Sequence, residues 1–180
     1  MSHLHDLLRN GANVVVWPGG LDEANSVESQ DAVSLKTRTG FIRLAVKHGV
    51  AVLPVFVFGE LDAVEAVRLL PKPLATWLKK TFRVSSNGFV GRYKSFIPRR
   101  VPFNMVVGKP IPTQAAFAAH DDVPAGVRDA EVARVHAAYK AELRRIYQEN
   151  AAKFGYEGRE LVLACERAEE RRQAKKGKAE

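Results

Sequence analysis

Three charged side chains have types and positions that could form a site at the ends of two strands. Arg38 lies on the apolar side of a helix predicted over Ser34–Lys47, near its amino-terminal end. A guanidinium in apolar surroundings needs a carboxylate, which binds it best in bidentate geometry. Glu23 and Glu60 each follow a predicted strand and are the partners that the sequence offers. A structural ion pair and a substrate site both remain open, because ligands of open α/β sheets bind at strand ends.

Glycines precede both carboxylates. Gly19 and Gly20 end the run VVVWPGG, and Gly59 directly precedes Glu60. Because glycine has no Cβ atom, the backbone at these positions can pass close to a ligand. The pattern therefore predicts two strand-to-loop turns at which a substrate could lie against the main chain.

No general base can be assigned from the residues. None of the five histidines has a position that marks it as a base. His3 and His5 precede the first strand, His48 ends a helix, His120 lies in a loop and His136 flanks a core stripe. No serine occupies a nucleophile elbow, and the glycines fit neither a Gly-Lys-Ser/Thr nor a GxGxxG phosphate loop. The single cysteine, Cys165, lies in a polar segment and supports neither an internal disulfide nor a metal site.

The basic charge is concentrated in one segment. Residues Pro71 to Arg100 contain eight Lys or Arg and no acid. The charge of this segment alone therefore equals the formal net charge of the whole chain, +8. Aromatic residues are interleaved with these cations, as in Tyr93 and Phe96. This composition suits nucleic acid, a membrane surface or a nucleotide-bearing acyl carrier, and equally a solvated basic face. Composition does not decide among them.

Two strands and a helix must position the carboxylates. The sequence predicts a strand over Val14–Trp17, a helix over Ser34–Lys47 that ends at Gly49, and a strand over Ala51–Phe58. This order is typical of a right-handed crossover in a parallel or mixed sheet. Both strands would then end at the same edge.

The 180-residue chain, 46% of it apolar, is long enough for one domain with a core. No apolar run approaches the ~20 residues that a bilayer-spanning helix needs. From Arg159 the chain is polar all round and predicts a helical or frayed tail. The other predicted elements are helices over Asp62–Leu70 and Leu74–Phe82, a loop over Ser85–Gly91, a strand over Phe103–Val107, and a helix from Val127 to about Lys153.

The stretch RTGFIRLAVKHGVAVLPVFVFGE, residues 38–60, resembles the signature block of the type-two diacylglycerol acyltransferase family, which includes monoacylglycerol and wax-ester acyltransferases. PGGLDEA is similar to the family's Gly-Gly loop and its glutamate. The family's pattern continues in the same order with IPRRVPF, VVGKPI and KFG, so the likeness covers roughly residues 10 to 155.

The resemblance implies transfer of a fatty acyl group from acyl-CoA to diacylglycerol or a similar lipid alcohol, at the cytosolic face of the endoplasmic reticulum membrane. Acyl-CoA is then a substrate, and no cofactor is implied. In this family the general base belongs to a His-Pro-His-Gly block, which this sequence lacks; His3 and His5 do not match it. The catalytic residue is therefore unassigned, and the candidate substrate-binding residues are Gly19, Gly20, Glu23, Arg38, Gly59, Glu60, Arg99 and Arg100.

The expected fold is α/β, with a mixed, mostly parallel sheet and flanking helices, like the glycerolipid acyltransferases and incomplete at its amino-terminal side. We expect a partial acyltransferase domain over residues 1–155 and a polar tail over 156–180. The first hypothesis is an O-acyltransferase of neutral-lipid synthesis, present as a fragment inactive alone. The alternative is a non-catalytic module that binds acyl-CoA or lipid. A membrane surface is an expected partner; RNA binding is disfavoured, because the resemblance explains the glycines and the arginine without it.

Overall fold

Helices and short strands make up the computed structural model, which describes residues 2–18, 32–35, 39–68, 87–114 and 125–163. The strands pair two by two: β1 with β6 in parallel, β3 with β4 antiparallel, and β2 with β5. In chain order the elements are α1 (Ser2–Arg9), β1 (Ala32–Leu35), α2 (Gly40–His48), β2 (Val55–Phe58), α3 (Glu60–Ala63), β3 (Glu65–Arg68), β4 (Asn87–Val90), β5 (Asn104–Val107), α4 (Ala125–Asn150), a 3-10 turn (Ala152–Phe154) and β6 (Glu160–Leu163).

The chain divides into two compact units. The first unit comprises Met1–Pro18, Thr37–Phe56 and Val107–Glu149, and the second comprises Gly19–Lys36, Val57–Val106 and Asn150–Glu180. Within the five described ranges, no helix combines the length and the apolar character that crossing a bilayer requires.

Helix α4 provides the core of the first unit. Its three-and-four spacing of apolar residues predicts one buried face, and the structure confirms it. Each residue of the stripe is at most 8% exposed: Val132, Val135, Tyr139, Leu143 and Ile146. From α2, Phe41 meets the Tyr139 ring edge-on, with 5.3 Å between ring centroids. The helix and its core face are therefore predictable from periodicity alone.

Helix α2 begins later than the sequence predicts. Ser34, expected to start it, lies in β1, where it pairs with Val162. The helix begins at Gly40 and ends as predicted at Gly49, whose φ of 64° is left-handed. The start at Ser34 is wrong because a strand partner far along the chain outweighs the local capping preference of serine.

The predicted first strand does not form. Val14–Trp17 has no regular structure, and Val15 and Trp17 are 76% and 81% exposed. A strand requires hydrogen bonds to a neighbour, and among the described residues none pairs with this run. The predicted crossover is therefore not formed there, and β2 pairs with β5 instead.

The second unit contains three further corrections. Helix α3 stops at Ala63 and gives way to β3, where the sequence predicts a helix over Asp62–Leu70. The predicted loop Ser85–Gly91 contains β4, the antiparallel partner of β3. The polar tail expected from Arg159 is wrong over Glu160–Leu163, which forms β6 with Leu163 2% exposed, and residues 164–180 lie outside the described residues. The predicted helix Leu74–Phe82 lies outside the described residues.

Candidate functional site

Gly59 makes the tight turn at the end of β2. Its φ of 101° is left-handed, and a Cβ atom there would lie 2.2 Å from the Pro102 carbonyl oxygen. Only glycine fits both this backbone conformation and this approach. The turn directs the chain into α3, whose first residue is the exposed Glu60.

Tyr156 anchors this turn from the far end of the sequence. The Gly59 N–H donates a buried hydrogen bond of 2.8 Å to the Tyr156 hydroxyl. The Tyr156 side chain is 2% exposed and meets the Phe58 ring edge-on, with 5.3 Å between centroids. Its position is set by the turn after α4, because the Tyr156 N–H bonds the Ala151 carbonyl. The end of β2 is thus fixed by both a ring contact and a hydrogen bond.

An ion pair lies beside the phenol. Arg159 donates from Nη2 to Asp62 Oδ1 over 2.7 Å, and its guanidinium carbon lies 4.5 Å from the centre of the Tyr156 ring. Burial raises the pKa of Tyr156, the Gly59 N–H opposes that rise, the negative charge of Asp62 adds to it, and the positive charge of Arg159 lowers it. The phenol therefore stays protonated at neutral pH, where it supports the turn and cannot serve as a general base.

The two candidate arginines have different roles. The Arg99 N–H bonds the Ala63 carbonyl over 2.7 Å, and its Nη2 lies 2.9 Å from Glu65 Oε2. Arg99 therefore holds the end of α3 through a backbone hydrogen bond and the start of β3 through an exposed ion pair. Arg100 is exposed, and within the described residues its side chain forms no ion pair or hydrogen bond. Arg100 can therefore bind an anion without breaking a contact to any of these residues.

The structure brings together only part of the predicted site. Gly59 and Arg99 are tied to neighbouring segments of the second unit, with Glu60 and Arg100 exposed next to them in sequence. The other four candidates lie outside the described residues: Gly19, Gly20, Glu23 and Arg38. The predicted pairing of Arg38 with a carboxylate therefore lies outside them too.

Sequence reasoning misses three residues that hold this turn. Tyr156 directly follows the KFG motif, which is a usable signal, whereas the sequence pattern places Asp62 in a helix and Arg159 in a tail. The pairing of Asp62 with Arg159 across the chain has no local signature.

Two histidines pair in the first unit. His5 Nδ1 lies 2.8 Å from His48 Nε2. Burial lowers the pKa of His48, and the nearby charges of His5, Arg9 and Lys47 lower it further. The prediction that a cation suits the end of α2 therefore does not describe His48, whose neutral form is favoured. His120 lies outside the described residues, which also contain no group of three or more His, Cys, Asp or Glu that could hold a metal ion.

Glu142 fastens the VVGKPI segment to α4. Its Oε1 accepts the Lys109 N–H over 2.7 Å and a bond from Arg145 Nη2 over 2.6 Å. These contacts lower the pKa of Glu142 to about 2, the Arg145 hydrogen bond being the largest cause. At Gly108 a Cβ atom would lie 2.7 Å from Ile146 Cδ1, so the segment lies tightly on the helix.

Comparison with known proteins agrees with the sequence motifs. A family model described as diacylglycerol acyltransferase matches residues 1–164. Acyl-CoA wax alcohol acyltransferase 2 of Mus musculus is 30% identical over 164 residues, which are 85% of this chain and 47% of the relative. Diacylglycerol O-acyltransferase 1 of Eremothecium gossypii is 33% identical over 169 residues, 87% of this chain and 35% of the relative.

A third relative represents another acceptor class. The human 2-acylglycerol O-acyltransferase 3 is 31% identical over 156 residues, 81% of this chain and 43% of the relative. The chain spans less than half the length of each of these three relatives. No solved structure matches the chain.

Proposed function

Because the chain belongs to the diacylglycerol acyltransferase family, we propose that it takes part in transferring a fatty acyl group from acyl-CoA to a lipid alcohol of neutral-lipid synthesis. Its relatives are named for wax alcohols, diacylglycerol and 2-acylglycerol, and diacylglycerol or a related alcohol is the acceptor proposed here. The proposed location is the cytosolic face of the endoplasmic reticulum membrane.

The reaction sets clear demands on the site. The acceptor oxygen attacks the thioester carbonyl carbon, the carbon–sulfur bond breaks, and coenzyme A leaves as the thiol. The hydroxyl proton must pass to a base as the carbon–oxygen bond forms. Tyr156 does not meet this demand because its raised pKa keeps the phenol protonated, and Asp62 is paired with Arg159.

Binding of the acyl donor, acyl-CoA, is the part of the reaction that this chain supports best. One observation carries the proposal: Gly59, within the matched signature block, is held by Tyr156 and Pro102, so the turn that presents Glu60 is rigid. Arg100 lies exposed in the neighbouring IPRRVPF segment, where its guanidinium suits a phosphate of coenzyme A. Gly19, Gly20, Glu23 and Arg38 are proposed to complete this donor-binding set.

We expect the 180-residue chain to bind acyl-CoA without turning it over. The first measurement is equilibrium binding of a long-chain acyl-CoA to the purified chain. Arg100→Ala should weaken binding several-fold, and Arg9→Ala, an exposed arginine outside the motifs, should not. Equal affinity of both variants and the parent would remove Arg100 from the proposal.

The second measurement is release of coenzyme A with detergent-dispersed diacylglycerol. Turnover that appears only after a relative's His-Pro-His-Gly segment is fused before Met1 supports a partial enzyme. Binding with no turnover in either protein supports the alternative, a non-catalytic acyl-CoA- or lipid-binding module. Robust turnover by the unfused chain, abolished by His48→Ala or His136→Ala, would contradict both and identify the base.

A further inference from the structure

A turn after β4 carries large apolar side chains into solvent. We call residues 91–97 the apolar turn. Phe96 is 87% exposed, Tyr93 77% and Ile97 60%. Single exposed apolar residues are ordinary, but three within five positions of one turn form a patch of the kind that marks an interaction surface.

The backbone of the apolar turn is well ordered by its own hydrogen bonds. Arg92 and Ile97 form an antiparallel bridge, and the Ser95 N–H bonds the Arg92 carbonyl over 3.1 Å. At Gly91 a Cβ atom would lie 2.1 Å from the Ile97 carbonyl oxygen, which closes the base of the turn. The exposed rings are therefore presented by a defined scaffold and not by a random loop.

The tip of the turn uses an uncommon conformation. Tyr93 and Lys94 have φ values of 57° and 55°, in the left-handed region that glycine and asparagine usually occupy. Backbone of this kind persists where surrounding contacts hold it, as the hydrogen bonds of Arg92 with Ser95 and Ile97 do in this turn. Here it holds Tyr93 against the Arg92 guanidinium, whose carbon lies 4.6 Å from the ring centre.

The charged side chains of the turn and of the sequence on either side of it are all basic. Residues 87–114 contain no Asp or Glu, and Arg92 and Lys94 lie within the turn itself. Cations beside exposed aromatic rings match an anionic lipid surface, where the rings enter the interface and the cations meet phosphates.

We propose that the apolar turn docks on an anionic membrane surface by inserting Tyr93, Phe96 and Ile97 into the headgroup region. The three side chains of the turn by themselves offer less apolar area than a second copy or a stable protein partner needs. Three such side chains bury on the order of 500 Å², below the roughly 800 Å² per partner of a stable interface. Lipid docking by this turn does not depend on acyl transfer, so each can fail while the other holds.

Vesicle flotation of the purified 180-residue chain tests the docking. The parent should float with phosphatidylcholine vesicles that contain phosphatidylserine, and more weakly with phosphatidylcholine alone. Tyr93→Ser combined with Phe96→Ser should reduce binding at least about tenfold, since two large apolar side chains no longer leave water. Arg92→Gln combined with Lys94→Gln should reduce binding to the anionic vesicles about fivefold per cation. The control, Trp17→Ser, removes an exposed ring of the first unit and should bind as the parent does.

A second readout locates the turn in the bilayer. Phe96→Trp should gain fluorescence that shifts to the blue on vesicle binding and is quenched by brominated lipid, relative to the parent. Unchanged flotation of the serine variant would overturn the proposal. So would a dimer in solution that the serine variant dissociates, with no flotation of the parent. Acyl-CoA binding, measured on the same variants without vesicles, should stay unchanged, which separates docking from the proposed function.

Discussion

The Gly59 N–H and the Tyr156 hydroxyl are joined by a hydrogen bond of 2.8 Å although 97 positions separate them in the sequence. This bond, together with the close approach of Gly59 to Pro102, sets where β2 ends and where α3 begins. The turn's rigidity comes from buried partners and not from its own sequence.

Tyr156→Phe should destabilise the protein by about 1–3 kcal/mol, because the buried Gly59 N–H loses its acceptor. Chemical denaturation followed by circular dichroism measures the change. Tyr93→Phe is the matched control, since the Tyr93 side chain is 77% exposed, and it should change stability by less than about 0.5 kcal/mol. Equal effects of the two variants would contradict the role of the Tyr156 hydroxyl.

Gly59→Ala should be more damaging, costing more than about 2 kcal/mol. The added methyl meets the Pro102 carbonyl at 2.2 Å, and a φ of 101° strains any L side chain. Gly126→Ala is the control, because nothing lies within 4 Å of its added Cβ in α4. That change should leave the midpoint of thermal unfolding equal or raise it.

Glu142 should make stability depend on pH in the acid range. Its pKa in the folded protein is lowered from 4.5 to about 2, so its contribution is present above pH 4.5 and is lost as pH falls toward 2. Glu142→Gln should flatten this part of a plot of unfolding free energy against pH. Glu149→Gln removes the exposed partner of the same Arg145 and should leave the plot close to that of the parent.

His48 should make the stability of the protein depend on pH in a range closer to neutrality. Burial and the neighbouring cations lower its pKa below 6.5, so the stabilisation is present above pH 6.5 and is lost as pH falls through the lowered value. Nuclear magnetic resonance of the ring protons should show His48 titrating below its ordinary pKa, and His5→Gln should move that pKa upward. A titration of His48 at or above 6.5 in the parent would refute the burial of its neutral form.

The sequence offers candidate site residues where the chemistry is local, and their part in binding stays a prediction. Glycine before a carboxylate at a strand end identifies Gly59 and Glu60 from the sequence, and IPRRVPF identifies Arg99 and Arg100. The different roles of the two arginines are not predictable in this way. Only the fold places Glu65 within 2.9 Å of Arg99 and leaves Arg100 exposed.

The sequence by itself determined the family resemblance, the long helix α4 with its buried face, the end of α2 at Gly49 and the strand β5. These follow from short-range properties: motif spacing, a repeat of three and four residues, and glycine in a left-handed turn. Only the tertiary structure decided that Glu160–Leu163 is a strand and that Val14–Trp17 is not. A strand depends on hydrogen bonds to a distant partner, and Glu160–Leu163 has that partner in Ala32–Leu35. Tyr156, Asp62 and Arg159 meet at Gly59 for the same reason: burial and pairing between remote segments are properties of the folded chain.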